Sequence, residues 1–457
     1  MACSTIRSVM VDKASVTPIA TISRLVSKQT SSSSTTPAAI PRLVIPSSTT
    51  STSESLLSLS SLFTATTPQP DDLRAPAPVL NSTAVSGITS TSTTRPILAS
   101  ASTATTTKAS GSSVPIAPRP RFIPRNRRSL TSSGGDSSNW AILFPGQGSQ
   151  FVGMGKDLYD TYPVARQVVD EADDALGGTL KNVMFEGSQE DLTRTENAQP
   201  AILTTSIAML RVLESERGFK IEESCKHALG HSLGEYSALV ATKAVTLHDA
   251  VKLVRLRGQA MTKAVTNKGT TAMSALVVRA DKLESLVKAM DEIKASLPAG
   301  ELAEIANINS SFQVVISGTV RGVDHASRML QAKKIAARAV DLPVSAPFHC
   351  SLMQPAADEM KIALKDVHFQ KPVINVISNV TAKPITKVED ISDLLVQQVT
   401  GTVQWHSSIK YLRDQENVHD FISLGPGKVL ANLLRKEYPL DFVKTVTTAE
   451  DIQQWAL

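Results

Sequence analysis

The sequence predicts an α/β protein, a parallel-sheet core interrupted by a smaller inserted unit. Three observations predict it. Short apolar runs alternate with helical stretches over 140–261 and resume beyond 370, which is the pattern of a parallel sheet covered by helices. Between them, residues 270–342 read in the order βαββαβ. Third, "GHSLG" at 230–234 places a serine where an apolar run meets a helix.

The ordered part does not begin at residue 1. Residues 1–137 are dominated by Ser, Thr, Ala and Pro, and all 8 histidines and 3 tryptophans lie beyond them. Such a segment cannot bury enough apolar surface to offset its ordering entropy. It holds 13 Lys/Arg against 5 Asp/Glu, a net of +8, while the remainder holds 34 against 37, a net of −3. The overall charge of +5 therefore belongs to the N-terminal segment, and the body shows no nucleic-acid footprint. A hydroxyl-rich, Arg-containing, acid-poor leader without a compact apolar region fits an organelle presequence better than a secretory one. No run of 18 apolar residues suggests a membrane span. Three cysteines, Cys3, Cys225 and Cys350, are too few for a disulfide framework and too scattered for a zinc site, and no metal is expected.

Each element follows from its pattern. "WAILF" at 140–144 is a buried strand leading into a Gly/Pro loop. In 197–216, Ile202, Ser206, Met209, Leu210 and Leu213 recur at helical spacing. "CKHALG" (225–230) is a strand and "LGEYSALVATKA" (233–244) a helix. Thr246 and Asp249 stand at capping-box spacing before the helix 247–261. Within 270–342, "AMSALVVRA", "LAEIANIN", "FQVVISG" and "AARAVDLPV" are strands, and the stretches 281–296 and 323–334 are helices. That order is ferredoxin-like, and the unit divides the core into 138–269 and 343–457. "PVINVISNV" (372–380) and "DFISL" (420–424) are core strands, and "GPGKVL" a tight turn opening a helix. The latter lacks phosphate-loop spacing.

"GHSLG" fits the nucleophile elbow, in which a sharp strand-to-helix turn exposes the serine hydroxyl. Gly230 and Gly234 leave room for strand and helix to approach, and the Leu233 amide is one expected oxyanion donor. Ser232 needs a base. Among the histidines, His349 stands out because "LPVSAPFHCSLM" is a loop opening a helix, and loops at strand ends often carry catalysis. His231 adjoins the serine and is read as structural. An α/β-hydrolase of ordinary order would show an acid between serine and histidine, and none can be nominated. One residue breaks the apolar stripe of Ala250, Leu253, Val254, Ala260 and Met261: Arg257 falls on it. A buried guanidinium should face a carboxylate, from a structural ion pair or a substrate, unless its stem snorkels to water.

Seven stretches together resemble the malonyl-CoA:acyl-carrier-protein transacylases of type II fatty acid synthesis: "FPGQGSQ" (144–150), "NAQPA" (197–201), "GHSLGEYSAL" (230–239), "VRLRGQAM" (254–261), "NINS" (307–310), "VSAPFHC" (344–350) and "GPGKVLANL" (425–433). The resemblance covers about 140–440 and implies an α/β-hydrolase-like core with a ferredoxin-like subdomain. It implies that Ser232 carries the acyl group, that His349 is the base, and that a backbone carbonyl at Gln398 orients His349 in place of an acid. Gln147 would stand at the oxyanion site, Arg257 would hold the malonyl carboxylate, and Gln199 would line the pocket. Asn307 and Asn309 would lie near the acyl-CoA entrance, and Phe348 would crowd the acyl α-carbon. Malonyl-CoA and holo acyl carrier protein are then the substrates, with no cofactor, and a monomer is expected. The rival readings are a serine thioesterase or esterase, an acyltransferase for another acyl-CoA, and a non-catalytic carrier-binding relic. The address implied is the mitochondrial matrix, with the plastid stroma as alternative.

Overall fold

In the computed structural model, residues 139–266 and 270–456 are described; the presequence reading for 1–137 lies outside them. A five-stranded parallel sheet runs in the order β7-β2-β1-β8-β9. Its strands are β1 (Trp140–Phe144), β2 (Cys225–Gly230), β7 (Asn375–Val376), β8 (Asp420–Leu424) and β9 (Phe442–Val446). β1 is central and buried at every position. Its side chains alternate: Trp140, Ile142 and Phe144 enter one apolar cluster, and Ala141 and Leu143 another with Trp405, Phe421 and Leu434. Both faces are thus covered, which is why the strand reads as a continuous apolar run.

The second sheet is antiparallel, β4-β5-β3-β6, from β3 (Thr271–Val278), β4 (Ala303–Ser310), β5 (Gln313–Thr319) and β6 (Ala336–Asp341). Helices Leu283–Ser296 and Val320–Ala332 pack on it through Leu286, Ile293, Val323 and Leu330. The predicted fold class is the observed one: a parallel α/β core with a ferredoxin-like unit. Strand β4 of this sheet also pairs with Val403, which packs against the core cluster of the parallel sheet. Ile308 N donates to Val403 O at 3.0 Å, and Val403 N donates to Ala306 O at 2.8 Å.

The helix read at 197–216 spans Thr195–Arg217, and the one after Thr246 spans Leu247–Lys263 with the Thr246 hydroxyl accepting from Asp249 N. One expectation is corrected. "PVINVISNV" pairs as a strand only at Asn375–Val376, because the chain then turns back through a bridge between Ile377 and Pro384. That early exit places Asn379 beside Ser232.

Candidate active site

The site forms at the carboxyl ends of the parallel strands, where open α/β sheets bind ligands. Ser232 follows β2 and adopts φ 54°, a left-handed conformation that non-glycine residues hold only when their surroundings impose it. The imposition is visible on both sides. A Cβ at Gly230 would lie 1.8 Å from the Gly234 carbonyl carbon, and one at Gly234 2.3 Å from Phe144 O, so only glycine permits this crossing of strand and helix. Asn379 clamps the turn: its Oδ1 accepts from Ser232 N at 2.7 Å, and its Nδ2 donates to Gly230 O at 2.7 Å. The Leu233 amide, the expected oxyanion donor, opens the helix Gly234–Ala241 and donates to no described residue.

His349 is 4% exposed and also left-handed, with φ 58°. Its Nε2 lies 2.8 Å from Ser232 Oγ, and its Nδ1 lies 2.8 Å from Gln398 O. A carbonyl only accepts, so Nδ1 bears the proton and Nε2 of the neutral ring accepts from the serine. Gln398 lies in the last turn of helix Asp390–Thr400, where carbonyls lack intrahelical partners. A helix end therefore orients the ring, and its dipole would favour a protonated imidazole. Burial, then the nearby Arg257 charge, push the His349 pKa down to about 3. The ring is neutral at pH 7.

Arg257 is 2% exposed. Of the carboxylate partners expected, a structural ion pair is not found: among the described residues no acid lies within ion-pair distance of it. Three neutral oxygens hold it instead. Nη1 donates to Gln199 Oε1 at 2.7 Å, and Nη2 donates to Gln398 Oε1 at 2.8 Å and to Ser232 Oγ at 3.1 Å. Its buried Nε has no partner. Burial lowers its pKa, while the neighbouring Tyr236 and Glu235 oppose that shift. A desolvated cation with a spare donor beside the nucleophile is built to receive an anion.

The remaining predicted residues lie around this centre. The Gln147 amide donates to Thr195 Oγ1 at 3.0 Å, and it makes no hydrogen bond to Ser232 or Leu233. Gln199 is 1% exposed on helix Thr195–Arg217. Asn309 Oδ1 accepts from His231 Nε2 at 2.9 Å, so it steadies the residue before the serine. Asn307, 6% exposed, pairs through its backbone with Val403. Phe348 is buried beside His349, its carbonyl accepting from Ser317 Oγ at 2.8 Å. Burial pushes the Cys350 thiol up to about 11, and its Sγ donates to Pro347 O. A protonated thiol is no rival nucleophile.

Two residues escaped the sequence reading, Asn379 and Glu235. Glu235 is fully buried, and its Oε2 accepts from Asn379 N at 3.2 Å and Gln398 Nε2 at 2.7 Å.

With this geometry in hand, the chain can be set beside known proteins. The acyl transferase domain family matches residues 141–454. A malonyl CoA-acyl carrier protein transacylase of Bacillus subtilis is 45% identical over 299 residues, 65% of this chain and 90% of that one. The Escherichia coli K12 protein of the same name is 40% identical over 299 residues, 65% and 93% respectively. Among solved structures, an acyl-carrier-protein-S-malonyltransferase from Bartonella henselae matches with TM-score 0.64 and 42% identity, covering 69% of this chain and 98% of that one. A malonyl-transacylase in complex with its type II polyketide synthase acyl-carrier protein matches with TM-score 0.64 and 36% identity, covering 69% and 98%.

Proposed function

This chain belongs to the acyl transferase family, and from that membership we propose the roles its site residues play in malonyl transfer. The enzyme moves the malonyl group of malonyl-CoA to acyl carrier protein, as its relatives' names state of them. We assign it to the supply of extender units for fatty acid synthesis. The observation that carries the mechanism is the meeting of His349 Nε2 and Arg257 Nη2 on one hydroxyl, 2.8 and 3.1 Å from Ser232 Oγ.

The steps follow from the geometry. His349 takes the Ser232 proton as Oγ attacks the thioester carbonyl. The oxyanion faces the Leu233 amide at the helix N-terminus, with Gln147 nearby; one such donor supplies roughly 3 kcal/mol of transition-state stabilisation. The tetrahedral intermediate expels coenzyme A thiolate, which receives the proton from His349. The carrier protein's phosphopantetheine thiol then gives its proton to His349 and attacks the malonyl-Ser232 ester; the second tetrahedral intermediate breaks its bond to Ser232 Oγ, which takes the proton back from His349, and the malonyl thioester leaves. Arg257 grips the carboxylate throughout, with Gln199 and Gln398 holding the guanidinium in plane. Phe348 crowds the acyl α-carbon, against branched substrates. The enzyme works on this reading as a monomer and without a cofactor.

Incubating the purified protein with malonyl-CoA should give an intact-mass adduct that maps to Ser232 and disappears on adding holo carrier protein. Free malonate released without a carrier would instead support a thioesterase, and the absence of any adduct would support the relic.

We also propose that residues 1–137 address the chain to the mitochondrial matrix, on the strength of their 13 basic against 5 acidic residues. A fluorescent protein carrying these residues should be imported and shortened in the matrix. Plastid import would select the alternative, and a cytosolic signal would refute both.

A further inference from the structure

Glu235 is a carboxylate buried at 0% exposure in the first turn of helix Gly234–Ala241, a position the proposed steps do not use. No cation of the described residues lies within ion-pair distance, and its Oε1 has no hydrogen-bond partner. Isolated buried charge is costly, and burial pushes its pKa up to about 7. Such an arrangement persists where it does something a neutral apolar side chain would not.

What it does is visible in Gln398. The two amide protons of this side chain go to Glu235 Oε2 at 2.7 Å and to Ser232 O at 2.9 Å. Its Oε1 is left to face Arg257 Nη2 at 2.8 Å. A glutamine amide can be turned by half a rotation at no intrinsic cost. Turned here, it would set its oxygen against a carboxylate and a carbonyl, and its NH2 against a guanidinium. Glu235 is the strongest acceptor in that set, so it decides the orientation.

We propose that Glu235 is a positioning residue for substrate selection: by fixing the Gln398 amide it aims Arg257 at the acyl pocket, so the preference for a carboxylated acyl group depends on Glu235. This rests on the reading that Arg257 receives the malonyl carboxylate. The same carboxylate also supports the elbow through Asn379 N. A purely structural role would therefore slow malonyl and acetyl transfer alike and leave their ratio unmoved.

The test measures kcat/KM for malonyl-CoA and acetyl-CoA with holo carrier protein. Glu235→Met, similar in shape without the acceptor, should lower the malonyl-to-acetyl ratio by about ten-fold or more. Glu235→Gln keeps an acceptor oxygen toward Gln398 and should hold the ratio within about three-fold. If the methionine variant fails to fold, Glu235→Asp carries the prediction, because it retracts the carboxylate by one methylene; a fall of about five-fold is then expected. A ratio unchanged in the Met variant, or in Asp where Met does not fold, overturns the proposal, as does an equal fall in Gln. Arg257→Ala is run beside them. If that variant keeps the malonyl preference, the reading of Arg257 has failed. If it loses the preference while the Glu235 variants keep it, only the present proposal has failed.

Discussion

Arg257→Ala should lower kcat/KM for malonyl-CoA by about 10³-fold while leaving acetyl-CoA within an order of magnitude. The asymmetry comes from desolvation. In the present site the guanidinium is satisfied only by the neutral oxygens of Gln199, Gln398 and Ser232, and no acid of the described residues neutralises it. A malonyl carboxylate supplies the missing charge to a guanidinium that is only 2% exposed, where a charge-assisted fork is strong. An acetyl group leaves the cation unneutralised, so the native site penalises acetyl and the alanine site does not. Lysine should be a poor replacement, because a point charge cannot hold three planar partners at once. Transfer rates to holo carrier protein check this, and an unchanged preference in the alanine variant would exclude Arg257 as the carboxylate ligand.

His349→Ala should lower kcat by about 10³-fold and leave circular dichroism unchanged. The pH profile carries the finer prediction. Burial and the Arg257 charge hold the wild-type imidazole at about 3, so the acid limb of kcat/KM should lie well below the ordinary histidine value near 6.5. Removing the positive charge favours the protonated ring, so in Arg257→Ala the limb should move to higher pH. The sign matters for turnover too. A bound carboxylate offsets the Arg257 charge and thereby strengthens His349 as a base when a carboxylated substrate is in place. A wild-type limb at the ordinary value would sink this account.

The elements of the inserted unit were legible in order, because β3 and β5 are short apolar runs and each helix carries one apolar face, although the last strand stops at Asp341, short of the stretch read for it. The stretch 156–193 was not. Its four helices, Lys156–Thr161, Pro163–Ala175, Leu180–Phe185 and Gln189–Thr193, are mostly short, and only Ser188 supplies a side-chain cap. β9 was missed because Lys444 and Thr445 break its apolar run. At the site, Ser232 and His349 announced themselves through local turns, and Arg257 through its position on an apolar stripe. The partners of Arg257 did not, since positions 199, 232 and 398 meet only in the fold. Glu235 stood in plain view within a helix buried at every position; a carboxylate inside "GEYSALVA" was the signal to follow. Asn379 carried none, being one polar residue in a loop.

Ser232 and His349 share one feature, a backbone in the left-handed region at φ 54° and 58°. Glycine and asparagine occupy that region more comfortably than either. The changes that would relax the backbone at these two positions therefore remove the residues proposed as nucleophile and base. For anyone engineering a hardier version of this enzyme, a backbone-based stability search would flag these two residues along with Lys243, Asp281, Lys334, Ala382 and Asn417, and on the proposed mechanism these two are the ones it must leave alone.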